Sequence, residues 1–248
     1  MPNTPTAKRR GVHLHKRDLA VLELLLDRRV ETLDDVHTAL FAAISRKSAA
    51  NRLGKLARAG YITRLPAAHT RPDGSLCMVY RLGPKGPAAL RLRSLASAEQ
   101  LASGPVTPIA PALIPHQLAV NRVADWLGTP LTTPRPAPRD QVNGRHEPDG
   151  AYHAATADDQ GRRTVLVEVD LGHYSRERVL AKMRTFLTNP DARSIIFATP
   201  TTERATRIAS WIRHAHGEHA MHRVQPLTFH EIQHGGLLDP GTEPATAR

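Results

Sequence analysis

Cysteine is nearly missing from this chain. Cys77 is the single example, so neither an internal disulfide nor a multi-cysteine zinc site can form, and a reducing, cytoplasmic setting is expected. Aromatic residues make up only 4%, too few for the stacking platforms on which single-strand binders lay bases. No apolar run approaches the roughly eighteen residues of a spanning helix, so no membrane association is expected. The basic stretch Lys8-Arg9-Arg10 is not followed by an apolar segment, which argues against a signal peptide. Internal repeats are also lacking.

What the chain does have is positive charge, unevenly placed. Its 248 residues are 40% hydrophobic, enough for packed cores, and its formal charge is +11. Residues 1–104 hold 18 Lys+Arg against 8 Asp+Glu, while residues 105–248 hold 16 against 15. A compositional bias toward arginine would load both halves alike. The asymmetry therefore predicts two functional halves, the first drawn to a polyanion.

Beyond a basic tail at 1–13, the first half has the pattern of three helices and a hairpin. Leu19, Leu22, Leu25 and Leu26 form one stripe of a helix over 16–28. A short second helix follows Thr32, an N-cap with Asp35 three residues on, and buries Leu33, Val36, Leu40 and Phe41. The third begins after Ser45 and stops at Gly60, with Ala49, Leu53, Leu56 and Ala57 on one face. Strand-like runs at 61–65 and 76–82 flank a turn-rich loop. This order predicts a winged helix-turn-helix over 14–101, closed by a helix carrying Ala88, Leu90, Leu92, Leu95 and Leu101. The third helix would enter the major groove, with a wing carrying His69 and Arg71 beside it. Arg46, Lys47, Asn51, Arg52 and Lys55 offer five donors without a carboxylate, so they and Arg71 are the expected DNA contacts. Cys77 is expected to be a small buried hydrophobe.

Four prolines within 102–115 mark a linker. The second half, 116–236, predicts a small α/β domain, with a tail at 237–248. A helix starts at His116. Asp149 stands at a strand start, and Thr164-Val-Leu-Val-Glu168-Val-Asp170 is apolar and β-branched enough for a central strand. Carboxylates in such a strand are costly unless paired or bound to a cation. Glu168 and Asp170, two apart, share a sheet face, and Asp149 on an antiparallel neighbour can reach Glu168. Three carboxylates at one point would suit Mg²⁺ or Mn²⁺. Lys182 lies at the border of the buried face of a following helix, within reach of them. Later helices and strands complete a mixed sheet flanked by helices. His173 sits at the mouth of the site as a candidate acid–base or phosphate contact, whereas His214, His216 and His219 match no zinc spacing.

The order Asp149, Glu168-Val-Asp170, helix resembles the restriction-endonuclease-like core, whose motif is Asp, a gap, then Glu-x-Lys. Across 14–230 the chain more specifically resembles the plasmid replication-relaxation family. The likeness is carried by His116-x-Leu-Ala-Val-Asn121, Pro148-Asp149, Glu168-Val-Asp170-x-Gly172 and Lys182-x-x-x-Phe186. It implies a winged helix joined to that core, and a role in replication, relaxation or mobilisation of plasmids or integrative elements. It also implies Asp149 and Glu168 as metal ligands for Mg²⁺ or Mn²⁺. Asp170 replaces the motif lysine, and Lys182 could substitute from the helix. Two readings stay open. One is a DNA-binding protein with a degenerate nuclease-like domain, in which Lys182 is a salt-bridge partner. The other is a metal-dependent endonuclease or nickase using Asp149, Glu168, Asp170 and Lys182. Expected partners are double-stranded DNA, a relaxase or replication protein, and a second copy of the chain.

Overall fold

The computed structural model describes residues 12–70, 76–98, 101, 109–132, 147–154 and 163–235. The chain divides into two compact units, Met1–Leu118 and Ala119–Arg248.

In the first unit, α1 (Lys16–Arg28) is opened by a capping box between His15 and Asp18, and buries Val21, Leu22, Leu25 and Leu26. Thr32 caps α2 (Leu33–Val36), accepting from the Asp35 amide while Asp35 reaches back. A π-helical turn, His37–Phe41, carries that helix on to bury Phe41. Ser45 caps α3 (Arg46–Arg58), whose Ala49, Leu53 and Leu56 face inward. Gly60 follows at φ +85, a left-handed position where a side chain would be strained. Strands β1 (Glu31–Thr32), β2 (Ile62–Thr70) and β3 (Leu76–Leu82) form an antiparallel sheet in the order β1-β3-β2. Three helices followed by an antiparallel strand pair is the element order expected for a winged helix. The segment expected to be the wing tip, with Arg71, lies outside the described residues.

Three differences have physical causes. The closing helix is shorter than expected. α4 spans Gly86–Leu92, and the chain turns at Ser94 with φ 55, so Leu92 is 85% exposed instead of packed. Val12 and His13, expected in the tail, join the fold: Val12 packs on the core and the His13 carbonyl accepts from Arg52. The expected linker is not a bare spacer along its described part either. Ile109 and Ile114 are buried with Val30, Cys77, Val79 and Leu118 in a small apolar cluster.

The helix α5 (Ile114–Trp126) starts in the first unit and continues past Leu118 into the second, which holds a four-stranded sheet of order β4-β5-β6-β7. β4 (Gly150–Ala154) runs antiparallel to β5 (Arg163–Val169), while β6 (Ala192–Thr199) and β7 (Val224–Thr228) continue parallel to β5. The parallel crossovers are α6 (Arg176–Leu187) and α7 (Thr202–His216), capped by Ser175 and Thr201, and α8 (Phe229–Gln233) follows β7. Alternation along β5 sorts the core. Leu166 packs with residues of α6 and α7, whereas Val165, Val167 and Val169 pack with Ala119, Val120 and Val123 of α5 and Ile232 of α8. At its other edge β4 is bridged by Thr132 to Ala151. Gly150 permits this approach, since a Cβ there would sit 2.8 Å from the Leu131 Cβ. Among the described residues, no helix is long and apolar enough to cross a membrane.

Candidate functional site

Two charged clusters emerge, an exposed one in the first unit and a buried one in the second. In the first, α3 presents its polar faces outward: Arg46, Lys47, Asn51, Lys55 and Arg58 are exposed. Between α3 and strands β2 and β3 lies a groove of about 520 Å³, lined by Arg46, Asn51, Gly54, Lys55 and Arg58 from the helix and by Arg64 from β2. Among the described residues, no carboxylate lines it. Arg46 Nε lies 2.5 Å from Asp34 Oδ1, but both side chains are about half exposed. Such a surface pair is worth at most about 1 kcal/mol and can be exchanged for another anion.

Arg52 has a different task from the DNA contact expected of it. It is only half-exposed, its Nε donates to Asp18 Oδ1 at 2.7 Å, and its terminal nitrogen bonds both the other Asp18 oxygen and the His13 carbonyl. Burial pushes the Asp18 carboxyl up, but the Arg52 bonds and the His15 amide outweigh it and hold that carboxyl below its usual range. The guanidinium therefore clamps α1 to α3. Arg58 and Arg64 also line the groove, although the sequence does not single them out. Arg58 looks like any polar helix position, and Arg64 joins the groove only through the pairing of β2 with β3.

In the second unit, Gly150 pairs with Val167, which sets Asp149 opposite Glu168. Asp149 Oδ2 accepts from the Val169 amide at 2.8 Å. Glu168 is fully buried, and the Lys182 ammonium, itself buried, lies 2.7 Å from its Oε1. The contact is an ion pair rather than a well-aligned hydrogen bond. Lys182 also donates to the Glu147 carbonyl at 3.1 Å, and stands 5.6 Å from the Tyr174 ring and 5.7 Å from the Phe186 ring. Burial first, and the facing Asp149 second, push the Glu168 carboxyl up to about 8, with Lys182 and Tyr174 offsetting only part of this.

Asp170 is not brought to the same partners. It lies just past the end of β5, fully buried, and Arg204 of α7 grips its Oδ2, with Nε at 2.7 Å and the terminal nitrogen at 2.5 Å. Its Oδ1 accepts from the amides of Gly172, His173 and Tyr174, while Arg204 also holds the Tyr174 carbonyl. Asp170 is thereby the anchor of the turn that follows β5, and Tyr174, stacked under Arg178 at 4.0 Å, is carried by that turn. His173 is exposed. Arg204 has no local signature in the sequence, because it stands 34 residues from the acid it neutralises.

As folded, the three acids have separate partners. One Asp149 oxygen is committed to a backbone amide, Glu168 is paired with an ammonium, and Asp170 belongs to Arg204. Among the described residues no three His, Cys, Asp or Glu side chains gather at metal-binding distance.

Comparison with known proteins adds the family. A solved structure of a protein with a GntR superfamily winged-helix-turn-helix domain from Halomicrobium mukohataei is similar at 20% identity, covering 36% of this chain and 63% of that one, with a TM-score of 0.30. No curated protein matches. The family model for replication-relaxation matches residues 22–188, spanning α3 with its basic face, Asp149, Glu168 and Lys182. By that match the chain belongs to the replication-relaxation family, and its role is a DNA-related one in replication.

Proposed function

We propose that the protein binds double-stranded DNA through its first unit, acting in the replication, relaxation or mobilisation of a plasmid or integrative element. The observation that carries this reading is the basic face of α3 with its carboxylate-free groove, on the unit that holds nearly all the net charge. Arg46, Lys47, Asn51 and Lys55 are the contacts, with Arg71, which lies outside the described residues, as a further one. Phosphate contacts supply most of the affinity, so binding falls steeply with salt and needs no divalent ion. The test is a titration of duplex DNA by fluorescence anisotropy across a salt series. Log affinity is expected to fall linearly with log salt, and the double reversal Lys47→Glu/Lys55→Glu to abolish binding. Binding unchanged by that reversal would overturn the reading.

The second unit, on this reading, is a degenerate restriction-endonuclease-like core that contacts DNA, a relaxase or a replication protein. Support comes from the order helix, β4, β5, helix, β6, from the Thr132 bridge on the β4 edge where a further strand of such a core would lie, and from Asp149 facing Glu168. One observation favours a second reading, a Mg²⁺- or Mn²⁺-dependent endonuclease or nickase. Two carboxylates oppose each other beside a lysine, the residue types of that nuclease motif. Cleavage of supercoiled plasmid in Mg²⁺ or Mn²⁺, lost in Asp149→Ala and Glu168→Ala, would establish it. No cleavage, together with no Mn²⁺ heat in calorimetry, leaves the degenerate reading. A second copy of the chain as partner is tested by sedimentation with and without DNA.

A further inference from the structure

We infer that the groove between α3 and strands β2 and β3 seats one phosphodiester backbone of the bound DNA, with Gly54 as the point of closest approach. The inference rests on the DNA-binding reading and adds to it where a strand runs.

Glycine inside a helix is the least favourable choice short of proline, because it gives up the most backbone freedom on folding. It is usually tolerated where a side chain would collide with the protein's own packing. Gly54 is not such a case. A Cβ built there meets a single atom within 4 Å, the tip of Arg58 at 3.6 Å, which is ordinary contact. The φ of Gly54 is not among the positive values either. Among the described residues, nothing in the fold of the first unit asks for a glycine at this position.

Its surroundings do. Asn51, Gly54, Lys55 and Arg58 are spaced i, i+3, i+4, i+7, so they share one stripe of α3. The stripe forms one wall of the groove, and Arg64 faces it from β2. Among the described residues, Lys55, Arg58 and Arg64 have no ion-pair partner. The arrangement is a stretch of helix without a side chain, flanked by Lys55, Arg58 and Arg64, in a groove that Leu33, Ala50, Met78 and Tyr80 also line. Base edges are read by side chains projecting toward them, and a glycine has none to project. A sugar–phosphate strand instead needs room to come close to the helix and charged donors on either side. Guanidinium groups from two elements, Arg58 and Arg64, suit the phosphate oxygens of a strand lying between them.

The test uses the full chain and a labelled DNA duplex, comparing wild type with Gly54→Ala, Gly54→Leu, Arg58→Gln and Arg64→Gln. Melting temperature and anisotropy are read on the same samples. Gly54→Ala is expected to melt at the same temperature or higher, yet to bind about tenfold more weakly, with Gly54→Leu weaker still. Each arginine variant is expected to lower the salt slope by about one. If wild type binds duplex and Gly54→Ala and Gly54→Leu bind as tightly, the groove inference falls while the DNA-binding reading stands. If wild type binds no duplex at any salt, both fall. Should Gly54→Leu fail to fold, Gly54→Ala alone decides.

Discussion

The cations of the first unit and those of the second sit in opposite surroundings. On α3, Lys47, Lys55 and Arg58 project into water, and even the Arg46–Asp34 pair is half exposed. Under the second sheet, Lys182 and Arg204 are buried, each assigned to one carboxylate. Exposed charge adds little to stability but acts at a distance on a polyanion. Buried charge does the reverse. It is screened from any partner, and a charge stranded in the interior, as Asp170 would be without Arg204, is far costlier than a paired one. The difference teaches which half of the molecule keeps its cations available to a partner and which commits them to its own architecture.

The sharpest way to break the contrast is Arg204→Met. It strands Asp170 with three amides and no cation, and is expected to lower unfolding free energy by about 3–5 kcal/mol in urea denaturation. Next is the pH dependence of Glu168. With its carboxyl raised to about 8 from an ordinary 4.5, folding favours the neutral form. The stability it contributes is fully present below about 4.5 and is lost as pH climbs through about 8, a swing on the order of a few kcal/mol. Glu168→Gln, which stays neutral, is expected to flatten that decline between pH 5 and pH 9, and an unchanged slope would refute the assignment. Arg52→Ala should cost about 1–3 kcal/mol, because buried Asp18 loses its main partner. If Arg52 instead behaves as a surface contact, its loss will weaken DNA binding while stability holds. Smallest in stability is Lys47→Ala, expected within about 0.5 kcal/mol of wild type, while its salt slope for duplex binding drops by about one.

Legibility in the sequence followed the range of the interaction. The bounds of α1 and α3 could be read closely because their signals are local: the stripe of Leu19, Leu22, Leu25 and Leu26 in α1, Ser45 ahead of the apolar stripe of α3, Gly60 at its stop. The facing of Asp149 and Glu168 followed from the period of two and a single hairpin. What escaped depended on residues far apart. β1 is two residues long and is a strand only because Tyr80 and Val79 pair with it. Arg52 reads as a free donor until Asp18, 34 positions earlier, is folded against it. Asp170 reads as a third acid of one cluster until Arg204 claims it. The short α4 escaped for another reason: apolar spacing continued through Leu92 and Leu95 although the backbone turned at Ser94.

The distribution of rare side chains leaves each unit with its own reporter. Cys77, the lone thiol, is buried in the first unit, whereas both tryptophans, Trp126 and Trp211, belong to the second. A thiol-reactive dye added to native protein therefore times the opening of the first unit, and indole fluorescence follows the second in the same cuvette, with no label engineered into either.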